Sequence, residues 1–243
     1  MAMSGYLRNV QGKDSLIRIA LRPGGINNAC FYHIELSYFY SKERAVLLMK
    51  QLIQAIRSLI PLSPKEEQVI GQLFIRKNYK KGSFFLSEGA ICKYAGFISR
   101  GLMRFYINVD GEEKTYGFLQ ENQFISNYAS FVPRVPSQQV IQALEDSELY
   151  VITHADLQKL YQELKYGERM VRVIIEQVFI QALTDLNSFY TDTPEARYRK
   201  FITEHPDLGQ RISQYHIASF VGVKPQSLSR IRKRILHQGA KGS

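Results

Sequence analysis

Cysteine and histidine are scarce in this 243-residue sequence, and their scarcity excludes several kinds of site. The two cysteines, Cys30 and Cys92, form no CxxC pair, so one chain can build neither a disulfide framework nor a four-cysteine metal or iron–sulfur centre. The five histidines are scattered and form no HxH or HExxH motif. We therefore expect no metal and no cofactor, and we expect the chain to reside in the reducing cytoplasm.

Long apolar runs and catalytic motifs are also missing. No uninterrupted apolar run approaches the ~20 residues that a membrane span requires, so we expect no membrane partner. There is no GxSxG nucleophile elbow and no Walker-type phosphate loop. We do not expect an enzyme.

The positive charge is concentrated at one end of the chain. Residues 193–243 contain ten lysines and arginines against three acidic residues, which accounts for +7 of the total net charge of +10. Residues 49–192 are neutral, with 16 residues of each sign. This distribution is typical of a nucleic-acid-binding module attached to a domain with another role.

The basic end contains the pattern of a helix-turn-helix, between residues 213 and 235. Ser213 is a candidate N-cap for the first helix. Gly222 suits the positive φ of a helix exit, and Pro225 suits the first turn of a second helix. A connection of this length between two short helices is typical of the motif.

Helical spacing divides the second helix into two faces. Leu228 and Ile231 belong to a buried face, whereas Gln226, Arg230 and Lys233 belong to the opposite one. Glutamine and arginine can make paired hydrogen bonds to base edges in a major groove, and cations such as Lys224 can neutralise phosphates. We interpret this face as a DNA-reading surface; the competing interpretation is a solvated basic helix at a domain end.

The first 48 residues show no sustained period, and we expect a poorly ordered extension there. Regular helical patterning begins at Met49, which suggests the hypothesis that Met49 is the functional start. The alternative is a native N-terminal arm. An intact mass measured on protein expressed from its own locus distinguishes the two.

Between these ends, the pattern predicts a helix and then a glycine-punctuated barrel. Ser63, Pro64 and Glu66 form a capping box that opens a helix extending to about Phe74. Asp110-Gly111 predicts a type I′ hairpin turn. Strands are predicted at 84–86, 94–98, 102–109, 114–119, 124–125, 139–143 and 149–153. Many short strands with glycine turns indicate an antiparallel barrel or jelly roll.

After a short helix at 156–164, residues 169–190 predict a long helix that is apolar around much of its circumference. Such a helix needs two partners. One is the barrel, and we expect the other to be the same helix of a second subunit, the alternative being a larger monomeric core. Residues 191–194 interrupt the helix as a hinge.

In this order, the features resemble those of the Crp/Fnr family of bacterial transcription regulators, over residues 50–235. The matching motifs are Lys80–Gly82, Glu88-Gly89, Ser99–Gly101, Asp110-Gly111, Pro136-Ser137 and Ala143–Leu149. The resemblance implies an α+β fold: a cyclic-nucleotide-binding-like jelly roll, a dimerisation helix and a winged helix-turn-helix. The expected boundaries are an extension at 1–48, the barrel domain at 49–166, the helix and hinge at 167–192, and the DNA-binding domain at 193–243.

The resemblance also implies site residues. Pro225, Gln226 and Arg230 match base-contacting positions, with Lys233 nearby, and Ser213, Gln214 and Ser227 match phosphate-contacting positions. Members that bind cyclic AMP carry a Gly-Glu pair in the segment that begins at Phe124, and an Arg-Ser pair further on. Here those places hold Ser126-Asn127 and Ser137-Gln138, and together with Phe124 these residues are the candidate effector pocket. Without the arginine, little offsets the desolvation of a phosphate, so we do not expect cyclic AMP to bind.

The expected function is therefore that of a homodimeric, sequence-specific regulator of transcription on double-stranded DNA. Its effector is an unknown small molecule, a redox change at Cys92, or nothing. The alternative is a sensing or scaffolding barrel whose basic end binds RNA or a protein.

Overall fold

The computed structural model describes residues 47–239. The expected extension at 1–48 lies outside the described residues except for its last two, and the hypothesis that Met49 is the functional start remains untested. Leu47 and Leu48 already belong to helix α1, residues 47–57, and Leu48 is buried in the main core.

Helix α2, Pro64–Leu73, begins at the predicted capping box. The Glu66 amide donates to Ser63 Oγ at 3.3 Å, and the Ser63 amide donates to Glu66 Oε2 at 2.8 Å. The two side chains thereby accept from backbone amides that would otherwise have no partner at the start of the helix. The prediction of this helix is confirmed, with Phe74 as its C-cap.

Two four-stranded antiparallel sheets follow, in the orders β1-β8-β3-β6 and β2-β7-β4-β5. The strands are β1 Ile75–Tyr79, β2 Phe84–Leu86, β3 Tyr94–Arg100, β4 Met103–Val109, β5 Glu112–Leu119, β6 Phe124–Ile125, β7 Gln139–Ala143 and β8 Ser147–Thr153, with the short helix α3 Tyr128–Phe131 between β6 and β7. All seven predicted strands are present within a few residues of their expected bounds. Sequence patterning missed β1 and α3.

The β4–β5 hairpin turns at Asp110-Gly111, where both residues have positive φ, 51° and 79°. Val109 pairs directly with Glu112 across this two-residue turn. Positive φ at both central positions is what a type I′ turn requires, so the predicted turn is confirmed. Strand β5 is the outer edge of its sheet.

Helices α4 His154–Glu163 and α5 Gly167–Thr191 follow the barrel. Met170 at the start of α5 is buried in the barrel core, while the exposed fraction increases along the helix. The C-terminal part contains α6 Pro194–Glu204, α7 Leu208–Arg211, α8 Gln214–Val221 and α9 Pro225–Gly239. Its own core includes Phe201, Ile217 and Leu228.

One expectation needs correction. The resemblance implied a winged domain, but residues 194–239 contain four helices and no strand. The helix-turn-helix is therefore present within the described residues without the strands of a wing.

Gly101, which has a φ of +106°, lies very close to a neighbouring backbone. A Cβ built there would lie 2.7 Å from the Cα of Ser147. We expect Gly101→Ala to lower the free energy of unfolding by at least about 1–3 kcal/mol, the usual cost of a strained backbone conformation, with the overlap adding to it. Urea denaturation measures the change.

Gly71→Ala in α2 is the matched control, because a Cβ at this position would meet no atom within 4 Å. Alanine suits a helix better than glycine, so this change should raise the free energy of unfolding by about 0.5–1 kcal/mol. Equal stability of the two variants would contradict the close approach at Gly101.

Candidate nucleic-acid interface and effector pocket

Helices α8 and α9 form the predicted helix-turn-helix. Ser213 caps α8, its Oγ accepting from the His216 amide at 3.2 Å. Gly222 ends the helix with φ 80° and ψ 34°, a left-handed conformation that costs glycine little. Pro225 begins α9. The serine cap, the glycine exit and the proline therefore mark where the two helices of the motif begin and where the first one ends.

The two faces of α9 are separated as predicted. Leu228 and Ile231 are buried, at 1% and 8% exposure. Gln226, Arg230 and Lys233 are exposed on the other side. A row of exposed hydrogen-bonding side chains on one helix face is what a major groove accommodates.

The remaining predicted DNA contacts surround this row. Ser213, Lys224, Pro225 and Ser227 are exposed. Gln214 differs, because it is half-buried and its Oε1 atom is buried with no hydrogen-bond partner in the described part of the chain. The structure thus brings all eight residues onto α8, α9 and the turn between them; their contacts with DNA remain predictions.

Arg197 joins the helix-turn-helix to the long helix. Its guanidinium donates to the Asp192 carbonyl at 2.7 Å and the Phe189 carbonyl at 3.2 Å, near the end of α5. Its Nε donates to the Val221 carbonyl at 2.9 Å, at the end of α8. One charged side chain therefore holds the ends of two helices together across the predicted hinge.

Three residues of the predicted effector pocket take part in an internal polar network. Asn127 is 5% exposed and donates to Ser137 Oγ and Gln139 Oε1, both at 2.7 Å. It also accepts from the Ser130 amide at 3.1 Å. Ser126 donates to the Tyr94 carbonyl at 3.3 Å. These three polar side chains are therefore hydrogen-bonded within the protein, and their part in an effector pocket remains a prediction.

The other two candidate pocket residues, Phe124 and Gln138, lie in different surroundings. Phe124 packs its ring edge-on against Phe97, with 5.3 Å between the ring centroids, and Gln138 is exposed. Cys92, named above as a possible redox site, is fully buried and its thiol donates to the Tyr94 carbonyl at 3.3 Å. The described residues include no cluster of three or more histidine, cysteine, aspartate or glutamate side chains that could hold a metal ion.

A separate groove of about 450 Å³ lies between α3, α4 and the outer side of α5. Its lining is largely apolar and includes Tyr128, Tyr161, Val171, Ile175 and Phe179. None of the five residues predicted for the effector pocket lines it. Sequence reasoning missed this groove because α3, which supplies Tyr128, was not predicted.

Sequence reasoning also missed a contact between the barrel and the helix-turn-helix. Ser219 Oγ of α8 accepts from the Thr115 amide and donates to the Glu113 carbonyl, both at 2.9 Å. These two backbone groups belong to the edge strand β5. A single serine within a helix gives no signal in the sequence that it makes such a contact.

A buried charge lies next to this contact. The Arg104 side chain is 1% exposed; it donates to Glu113 Oε2 at 2.6 Å and Thr115 Oγ1 at 2.8 Å. His216 of α8 is half-buried. Burial lowers the pKa of His216, and the nearby Arg104 guanidinium lowers it further.

Comparison with known proteins agrees with this architecture. Residues 76–164 match the model of the cyclic nucleotide-binding domain family. FixK2 from Bradyrhizobium japonicum superposes with a TM-score of 0.61 at 16% identity, over 68% of this chain and 86% of FixK2. No curated protein matches this chain.

Two further solved structures share the fold. A transcriptional regulator of the crp/fnr family from Eubacterium rectale gives a TM-score of 0.60 at 17% identity, over 75% of this chain and 89% of its own. The c-di-GMP responsive global regulator CLP of Xanthomonas campestris gives a TM-score of 0.59 at 15% identity, over 73% of this chain and 93% of its own. The expected resemblance to Crp/Fnr regulators is confirmed at the level of the fold. No helix within residues 47–239 is long and apolar enough to span a membrane.

The polar network leads to a prediction about cyclic AMP. Because the Asn127 amide already donates to Ser137, and because the sequence has Ser137-Gln138 where members that bind cyclic AMP have an Arg-Ser pair, we expect no heat of binding when cyclic AMP is titrated into the protein. Isothermal titration calorimetry provides the measurement. Saturable binding that Asn127→Ala abolishes would contradict the assignment of these residues to an internal network.

Proposed function

We propose that this protein is a sequence-specific, DNA-binding transcription regulator of the Crp/Fnr type, which acts in the cytoplasm as a homodimer and does not respond to cyclic AMP. The observation that carries the proposal is the exposed row Gln226, Arg230 and Lys233 on the second helix of a correctly capped helix-turn-helix. The neighbouring barrel matches a family of cyclic nucleotide-binding domains.

The chemistry of α9 supports a double-stranded DNA partner. Lys224, Arg230, Arg232 and Lys233 are exposed, and no acidic residue occurs between residues 224 and 234. Such a helix can offer a salt-dependent attraction to phosphates together with hydrogen bonds to base edges. Arg234 differs from its neighbours, because it is paired with Glu195 at 2.9 Å.

A binding selection from a random duplex pool tests the proposal directly. Recovery of an inverted repeat would support a two-fold, sequence-specific regulator and would supply its operator. No enrichment of any sequence, or equal binding to unrelated RNA, would contradict the proposal.

Arg230→Ala tests the role of the exposed row. We expect a loss of about 1–3 kcal/mol on the selected operator and a relaxed preference at one base pair, because arginine reads guanine through paired hydrogen bonds. Fluorescence anisotropy on the operator and its single-base variants provides the measurement.

The matched control is Arg57→Ala, which removes the same charge from a 58%-exposed side chain in α1. This variant should bind as the wild type does. An equal loss of affinity for every sequence in Arg230→Ala would assign Arg230 to phosphate rather than to a base.

Helix α5 supports the dimer. Beyond residue 176 it leaves large apolar side chains exposed; these are Val178, Phe179, Ile180, Leu183, Leu186, Phe189 and Tyr190, at 45–80%. Phe179, Leu183, Leu186 and Tyr190 are spaced so that they share one face of the helix. A continuous apolar stripe of this size is typical of a protein–protein contact, and a second copy of α5 has the matching pattern.

Leu183→Glu tests the dimer. A charge placed in the apolar stripe should prevent association, so we expect a monomer by analytical ultracentrifugation. Binding to the palindromic operator should weaken by roughly a hundredfold, because two linked half-sites then act separately.

Gln177→Glu introduces the same charge on the opposite face of α5 and should leave a dimer. A Leu183→Glu protein that remains dimeric would assign the stripe to another partner.

A further inference from the structure

Two residues connect the long helix α5 to the helices that follow it. Helix α5 ends at Thr191 and α6 begins at Pro194, so Asp192 and Thr193 make up the whole joint. Asp192 is the C-cap of α5 and Thr193 is the N-cap of α6. Both have an extended backbone, with ψ of 147° and 155°, so the two helices are separate bodies that can rotate about the dihedral angles of the joint.

Arg197 of α6 bridges this joint. Its Nη1 donates to the Asp192 and Phe189 carbonyls, and its Nε donates to the Val221 carbonyl at the end of α8. The guanidinium also lies over the Phe189 ring, 5.1 Å from its centroid. Carbonyls at a helix C-terminus have no partner within the helix and carry the negative end of its dipole, so a cation is favoured there. One side chain thereby fastens the end of α5 to the turn of the helix-turn-helix.

The arrangement of these carbonyls suits a guanidinium in particular. A guanidinium is planar and directs five donors along fixed lines, and here two of its nitrogens bond three carbonyls. Lysine has the same charge, but its ammonium is a compact group on a flexible stem and does not reproduce the planar fork. Gly222 leaves room for the group, because a Cβ built there would lie 3.3 Å from Arg197 Nη2.

The bridge extends to the reading helix α9 through α6. Tyr198, next to Arg197, is buried in the C-terminal core together with Leu228 of α9. Glu195, also in α6, pairs with Arg234 of α9 at 2.9 Å. Because α6 and α9 share a core and an ion pair, the orientation of α9 relative to α5 depends on the joint that Arg197 bridges.

We propose that Arg197 is a positioning residue that determines the spacing between the two DNA half-sites. The inference rests on the proposed function, in which two copies of α5 form the dimer. In such a dimer, the distance and angle between the two copies of α9 are fixed only as firmly as each copy is held to its own α5. One additional base pair moves a half-site by ~3.4 Å and turns it by ~35° about the DNA axis. A rigid joint therefore accepts one spacer length, and a flexible joint accepts several.

Arg197→Lys tests the inference, because it keeps the charge and removes the planar fork. The probes are duplexes in which the spacer of the selected inverted repeat is one base pair longer or shorter. Wild-type protein should bind them about a hundredfold more weakly than the selected repeat, since both half-sites are no longer engaged together, whereas the variant should lose less than about tenfold. Fluorescence anisotropy measures both. The contacts of Ser219 and Arg211 with the barrel are unchanged in this variant, so a relaxed spacing reports on the joint itself.

Arg199→Lys is the matched control, since it makes the same change two residues further along α6. The Arg199 guanidinium donates to Glu195 and Gln238, and this variant should keep the wild-type preference for one spacer. A duplex with a single half-site is the second control. Both variants should bind it as the wild type does, because the exposed row on α9 is unchanged.

The same spacer preference in Arg197→Lys as in the wild type would overturn the inference, and so would wild-type protein that binds all spacers alike. An equal loss on the single half-site and on every spacer would also overturn it, because Arg197 would then stabilise the helix-turn-helix rather than position it. These three outcomes leave the proposed function intact. Failure of the selection to recover an inverted repeat would refute the proposed function, and this inference with it.

Discussion

Strand β5 is the edge of its sheet, and the way this edge is covered determines how the two parts of the chain are joined. An edge strand presents free backbone groups that readily pair with other chains. Here Ser219 takes up two of these groups, at Glu113 and Thr115. The barrel therefore obtains part of its edge protection from the helix-turn-helix, so the stabilities of the two parts are coupled.

The buried Arg104 shows how far this link extends into the barrel. A guanidinium away from water is tolerated only with charged and hydrogen-bonding partners, which Glu113 and Thr115 supply. Its cross-strand neighbour Phe118 lies on the same face and packs on the C-terminal domain. The part of this face that carries Arg104, Thr115 and Phe118 is thus covered by the C-terminal helices.

Sequence patterning predicted the local features well and this surface not at all. The capping box at Ser63, the turn at Asp110-Gly111 and the αL exit at Gly222 are decided by neighbouring residues, so the sequence alone suffices for them. Arg104 alternates along β4 with Met103 and Phe105, and in such a pattern the polar residue normally lies on the side of the sheet that faces water. Here that side is covered, because Ser219, which lies 104 positions after Thr115 in the sequence, contacts it. Such contacts depend on tertiary packing, as does β1, whose polar sequence pairs with β8.

The polar network around Asn127 bears on how a signal enters the barrel. In a ligand-binding barrel, groups such as Asn127 and Ser137 must remain available, because a buried polar ligand needs partners. Here Asn127 donates to Ser137 and Gln139, so a polar ligand at this place has to compete with these internal hydrogen bonds. The β4–β5 hairpin lies outside this network and joins the barrel to the helix-turn-helix directly, because its Glu113 and Thr115 backbone groups are hydrogen-bonded to Ser219.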